Sequence, residues 1–109
     1  MNWDRVHELR SEVGADAFEE VVALFLEETD GVAERLAAAP DPETLGSELH
    51  FMKGAALNLG FDDLATVCSN AESALRTGGA ATVDVAHVLA AYARSKVEIQ
   101  NGDTQRMAG

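Results

Sequence analysis

The stretch "LHFMKGAALNLG", Leu49 to Gly60, decides how this chain is read. Its apolar residues recur at helical spacing. With about 100° between successive residues, Leu45, Leu49, Met52, Ala56 and Leu59 fall within about 40° of one line, which is a core stripe. The same stretch holds a histidine, a lysine and a glycine where a helix gains little from them. Gly54 alone costs a helix interior roughly 1 kcal/mol relative to alanine. His50 lies roughly 140° from the apolar line, on the far side of the helix. Its surface neighbours are Gly46 one turn before, Lys53 at i+3, Gly54 one turn after and Leu57 beyond. Glycines in helices also allow a neighbouring helix to pack closely. These two face away from the stripe, however, so the interior has no evident use for them. Together they cost about 2 kcal/mol, and the reading that accounts for the cost is clearance of the imidazole for an incoming surface.

The helical pattern extends outward from this segment in both directions. Upstream, "APDPETL" (Ala39 to Leu45) punctuates the chain, with Asp41 as N-cap and Pro42 at the first helical position. Glu43 suits the positive end of that helix's dipole. Before it, Trp3 to Val13 predicts a short helix with Val6, Leu9 and Val13 on one side and Gly14 ending it. Asp16 can cap a longer helix carrying Phe18, Val22, Phe25, Thr29, Val32 and Leu36, ending near Ala39 ahead of Pro40. Downstream, Gly60 suits the left-handed residue that closes the central helix. Asp62 can cap a helix bearing Leu64, Val67, Cys68, Ala71 and Leu75, which stops at Gly78 and Gly79. Thr82 can cap the last, with Val85, Val88, Leu89 and Tyr92 on one side. Nothing alternates with the period of a strand. The expected fold is all-α: an antiparallel four-helix bundle with a short N-terminal lid helix. The bundle is expected over residues 1–101, with a polar, flexible tail over 102–109.

Composition narrows the function classes. The 109 residues are 47% hydrophobic and 6% aromatic, which favours helices and allows one small core. No apolar run approaches the roughly 18 residues that span a bilayer, and no signal-like segment opens the chain. Cys68 is the single cysteine, so an internal disulfide is impossible. A soluble, cytoplasmic, free-standing domain is expected. A formal charge of −11 argues against nucleic acid as a partner.

The residues around His50 suggest its chemistry. A neutral imidazole nitrogen is a nucleophile, and an ammonium one turn away at Lys53 disfavours the imidazolium. Once the ring carried a phosphoryl group, the same ammonium would offset the new charge. The plain alternative for Lys53 is a solvated surface lysine. Leu24 and Leu26 lie off the apolar stripe of their helix, and with Leu57 they are candidates for a docking patch, flanked by Phe51. Scattered exposed leucines are also ordinary, and the two readings stand side by side.

"HFMKGAALNLG" resembles the signature of histidine-containing phosphotransfer domains. The shared pattern is a histidine, an apolar residue two positions on, lysine, glycine, a small residue and a glycine closing the helix. The likeness extends to "FEEVVALFLEET" before it and "FDDLATVCSNAESAL" after it, covering roughly residues 5 to 100. The resemblance implies a relay protein of two-component signalling. Its histidine would take a phosphoryl group from the aspartyl phosphate of one receiver domain and pass it to another. His50 would be the phosphoacceptor, Lys53 the nearby charge and Gly54 the position kept small for access. In some members a basic residue late on the following helix faces the histidine, and Arg76 stands there. Gly46 is assigned to partner binding on the helix wheel only. The implied partners are the receiver domains of response regulators and of a hybrid sensor histidine kinase. The receiver would supply Mg²⁺, so no cofactor of the chain's own is expected. No GxxxxGK[ST] loop or kinase-like glycine loop is present, so ATP-dependent autophosphorylation is not expected. A monomer is expected.

Two other readings compete with this one. "DRVH" (Asp4, His7) and "DVAH" (Asp84, His87) each place a carboxylate three residues before a histidine, as bundle metal sites do. His87 is expected to face solvent and the first helix to be peripheral, so solvated histidines are the favoured account. A non-phosphorylated adaptor or kinase-inhibiting module would use the glycines equally well, but it needs no nucleophile. Cys68 reads as a small core residue, and Trp3 as an anchor for the first helix.

Overall fold

Among the described residues, five α-helices and one 3₁₀ turn follow each other: α1 (Trp3–Val13), α2 (Ala15–Ala38), α3 (Leu45–Leu59), α4 (Asp62–Gly78), the turn Ala80–Thr82, and α5 (Val85–Met107). This computed structural model describes the backbone of residues 1–38 and 41–107, with side chains to Asn101. Among the described residues there is no strand, and no helix is long and apolar enough to cross a membrane. α2 packs on α3, α3 on α4, α4 on α5 and α5 back on α2, while α1 rests against α2 and α3. One core fills the space between them. Leu36, Leu45, Leu49, Met52, Leu59, Phe61, Leu64, Cys68, Val88 and Ile99 are all buried in it.

The apolar periodicities explain this packing. The stripe Leu45, Leu49, Met52, Ala56, Leu59 is buried along its whole length. Gly60 then takes the left-handed conformation (φ 76°, ψ 21°) that closes α3. A side chain there is excluded twice, because a Cβ would also lie 2.5 Å from the carbonyl oxygen of Asn2. α1 begins at that contact, with the Asn2 N–H donating to the Gly60 carbonyl at 2.7 Å.

Helix starts differ from the sequence reading in detail. Asp41 accepts the Glu43 N–H on its side chain at 2.9 Å, but the intervening turn delays α3 to Leu45, with Thr44 at the N-cap. Asp16 and Asp62 lie inside the first turns of α2 and α4, where carboxylates favour the dipole, rather than at their caps. Thr82 does not cap α5. Its hydroxyl donates back to the carbonyls of Ala74 and Gly79, and Asp84 caps α5 by accepting the His87 N–H at 3.0 Å. That bond gives the spacing of Asp84 and His87 a role as a helix cap. His7 and His87 are both exposed, and no group of potential metal ligands gathers among the described residues. Ala39 and Pro40, where α2 was expected to end, lie outside the described residues. The sequence predicts a bundle to residue 101 with a tail after it. The helical backbone of α5 continues to Met107, and residues 108–109 lie outside the description.

One polar clamp ties α2 to α5. The Tyr92 hydroxyl donates to Asp30 Oδ1 at 2.6 Å, and Lys96 Nζ donates to both Asp30 oxygens at 3.0 and 2.9 Å. Partial burial pushes the Asp30 carboxyl up, but the hydrogen bonds from Tyr92 and Lys96 and the lysine charge outweigh it and hold the group below its ordinary value. A carboxyl depressed by folding stabilises the native state above its unfolded pKa of about 3.9, and that contribution is lost as pH falls through the folded value. Asp30→Asn is therefore expected to lower stability by about 1 kcal/mol at neutral pH, a modest figure because the pair is partly exposed. In urea titrations the gap between the two proteins should narrow below about pH 4. A gap independent of pH would show that the carboxylate charge contributes nothing.

Candidate functional site

His50 stands on the outer face of α3 with its side chain 78% exposed. Gly54 follows one turn later, and a Cβ built there would meet nothing within 4 Å. The face is therefore open above the ring. It is not featureless below. Glu72, projecting from α4, brings Oε2 to 3.6 Å from His50 Nδ1 and Oε1 to 3.8 Å from Lys53 Nζ. The Glu72 side chain is only 15% exposed, and Oε1 is buried without a hydrogen-bond partner among the described residues. A desolvated carboxylate needs positive or donating neighbours, and here Lys53 and the imidazole are those neighbours.

The geometry at Nδ1 sets what the ring can do. At 3.6 Å the contact is slightly longer than a hydrogen bond, and it is aimed at Nδ1 rather than Nε2. A carboxylate at that position favours the tautomer with its proton on Nδ1, which leaves the Nε2 lone pair directed away from the carboxylate. From the sequence, only cations were expected near His50, Lys53 on its own helix and Arg76 on the next. In the structure the lysine and the histidine share one acid. The field of this group reaches the core as well. Burial pushes the Cys68 thiol up to about 12, with the charge of Glu72 adding to the shift and that of Lys53 opposing it. Cys68 is thus a protonated core residue, fully buried one turn before Glu72.

The remaining candidate residues divide. Leu24, Leu57 and Phe51 are exposed to 56, 53 and 42%. Leu26 is not part of that surface. It is buried, and its carbonyl accepts the Tyr92 hydroxyl, because packing of α5 turns this side of α2 inward and widens its buried arc beyond the predicted stripe. Gly46 also requires correction. A Cβ there would lie 3.3 Å from Leu75 Cδ2, so its missing side chain admits α4, and it is not an opening for a partner. Arg76 is exposed, one turn beyond Glu72 on the same side of α4, and its Nη2 donates to Ser73 Oγ at 3.2 Å.

Sequence reasoning missed Glu72. Among 19 acidic residues nothing marks it locally. The usable signal was relational: if Gly46 admits Leu75, then helices running back on each other place Glu72 one turn along, opposite His50.

These residues form an all-helical domain whose candidate chemistry lies on an open helix face rather than in a cleft. The family model of the Hpt domain matches residues 20–100, and the chain belongs to this family. Hpt domains serve phosphotransfer in two-component signalling and interact with receiver domains. No curated protein and no solved structure matches the chain.

Two measurements test this geometry directly. Gly54→Ala is expected to raise stability by about 0.5–1 kcal/mol, since it removes a helix-interior glycine into open space. Gly46→Ala should gain less, or lose, because Leu75 must yield. A Gly54→Ala protein with a lower urea midpoint than wild type would contradict the open geometry. Secondly, ¹⁵N-edited NMR of the imidazole near pH 8 should find the Nδ1–H tautomer enriched at His50. Glu72→Ala should return the ring toward the Nε2–H form, and an unchanged tautomer ratio would remove Glu72 from the site.

Proposed function

We propose that the chain relays a phosphoryl group between aspartates of receiver domains through a phosphohistidine at His50 Nε2. The observation that carries the reading is an imidazole 78% exposed, beside a glycine with nothing near it, whose other nitrogen faces a mostly buried carboxylate. In this reading α2 to α5 are an antiparallel four-helix bundle and α1 is its lid. The domain acts as a cytoplasmic monomer.

The reaction follows from the groups present. The Nε2 lone pair forms the N–P bond while the P–O bond to the receiver's aspartate breaks, and that aspartate leaves as a carboxylate. The proton on Nδ1 stays in place. The phosphorylated ring is therefore cationic, and Glu72 faces the nitrogen that bears its proton. Lys53, whose ammonium also lies beside Glu72, offsets the phosphoryl charge, and Arg76 is a second cation one turn beyond Glu72 on α4. Transfer of this kind depends on in-line placement and charge stabilisation more than on side-chain acid–base chemistry. The receiver supplies Mg²⁺. Gly54 leaves room for the receiver's active site to close over the ring.

Mixing the protein with a phosphorylated receiver domain and Mg²⁺ should produce an acid-labile adduct of one phosphoryl group by mass, absent from His50→Ala. Glu72→Ala should slow transfer by about tenfold or more, the scale expected when one charged partner of a transition state is removed. Binding without transfer across a panel of receivers would replace the relay with an adaptor.

A further inference from the structure

Glu72 meets His50 at the nitrogen that the phosphoryl group does not use. Its Oε2 lies 3.6 Å from Nδ1, its side chain is mostly buried, and Oε1 is shielded from solvent. A charge so placed is screened little by water, and an opposite charge within about 4–6 Å favours the protonated ring. The other charged and titratable groups around the site do not compete for this part. Lys53 Nζ is 3.8 Å from Glu72 Oε1, and Arg76 stands one turn further along α4. Cys68, pushed up by burial and then by the charge of Glu72, stays a neutral thiol. From α2, Glu27, Glu28 and Arg35 face a groove that Ser47 and Phe51 line and His50 does not, and Arg35 is paired with Glu48 at 3.5 Å. From α1, Arg5 reaches α3 at Asn58, about two turns past His50, and is tied to Glu8 and Glu12. Among the described residues, Glu72 is the carboxylate that can hold a proton on Nδ1.

We propose that Glu72 keeps Nδ1 protonated in the phosphorylated state, and thereby sets both the lifetime of the phosphohistidine and the alkaline limit at which the group can be passed on. The inference rests on the phosphorelay reading and concerns the second half of the relay, departure of the phosphoryl group. In that step an oxygen of the receiver's aspartate, or of water, forms the new P–O bond as the N–P bond breaks. The N–P electron pair returns to Nε2, and an attacking water gives its proton to the solvent. If Nδ1 bears its proton, the ring departs as neutral imidazole. If it does not, the ring must depart as imidazolate, a far poorer leaving group. An imidazole without an acidic neighbour gives up its proton near pH 6.5, so at about pH 8 departure depends on the proton that Glu72 holds. The face at Gly54 is open, so water reaches the same bond that a receiver attacks. Donor competence and spontaneous decay are two readings of one proton. Glu72 is a positioning residue here, since it acts through Nδ1 and not on the phosphorus or the incoming oxygen.

The first measurement needs no receiver. In a His7→Gln/His87→Gln background, where His50 is the one histidine left, the chain is loaded with phosphoramidate and loss of the phosphoryl group is followed by mass. At about pH 8 the adduct on Glu72→Gln should outlive that on the parent by about tenfold, the effect of an opposite charge at this range. At about pH 5, where both rings are protonated, the two lifetimes should agree within about twofold. ¹⁵N shifts of the loaded ring at about pH 8 should show Nδ1 protonated in the parent and largely unprotonated in Glu72→Gln. With a receiver domain and Mg²⁺ added at that pH, transfer from the loaded variant should slow by a similar factor. Equal lifetimes at every pH, or a gap that persists undiminished at about pH 5, overturns the role of Glu72 and leaves the relay standing. A loaded parent that gives its group to no receiver overturns the relay instead, and the lifetime ratio still decides whether Glu72 holds the proton.

Discussion

The close approach of α3 to α4 is the constraint on which the candidate site depends. Small residues line this seam: Gly46 faces Leu75, and Ala55, Ala56, Ala65 and Cys68 are buried around it. Larger side chains would separate the helices, and separation would take Glu72 away from His50. At the present spacing the carboxylate lies mostly buried, with one oxygen shielded from solvent, and within reach of both an imidazole and an ammonium. The reactive face of α3 is therefore built from below, by packing, while its upper side stays open.

The three glycines of this segment show how one residue type serves separate physical ends. Gly60 is required by its backbone, since its φ of 76° and the approach of Asn2 both exclude a side chain. Gly46 is required by a neighbour, Leu75. Gly54 is required by neither, so its cost to the helix has no return within the folded domain. A residue that weakens a structure without serving it points outside the structure.

Much of the fold was legible because helical periodicity is a local signal. The stripe on α3, the punctuation at Gly14, Gly60 and Gly79, and the exposed position of His50 all follow from residue spacing within one helix. What could not be read depends on how helices meet. Leu26 is drawn into the core by α5, whose position no pattern within α2 encodes. Gly46 was read as an outward opening because the wheel knows one core direction per helix, whereas α3 is covered by α1, α2 and α4. Glu72 reaches the site through the offset between two helices. The helix starts at Thr44 and Asp84 were displaced by turns that bring their own hydrogen bonds, a competition between caps that propensity alone does not rank.

The anchoring of α1 bears on where this domain begins as a physical object. The family match opens at residue 20, inside α2, yet Val6 and Leu9 are buried and Gly60 holds the backbone of Asn2. Arg5 donates from Nε to the carbonyl of Asn58 at 3.1 Å, two residues before the turn that ends the helix bearing His50. Sequence kinship and packing therefore draw different borders. Through these contacts the start of α1 is held directly against the C-terminal end of the helix that presents the imidazole.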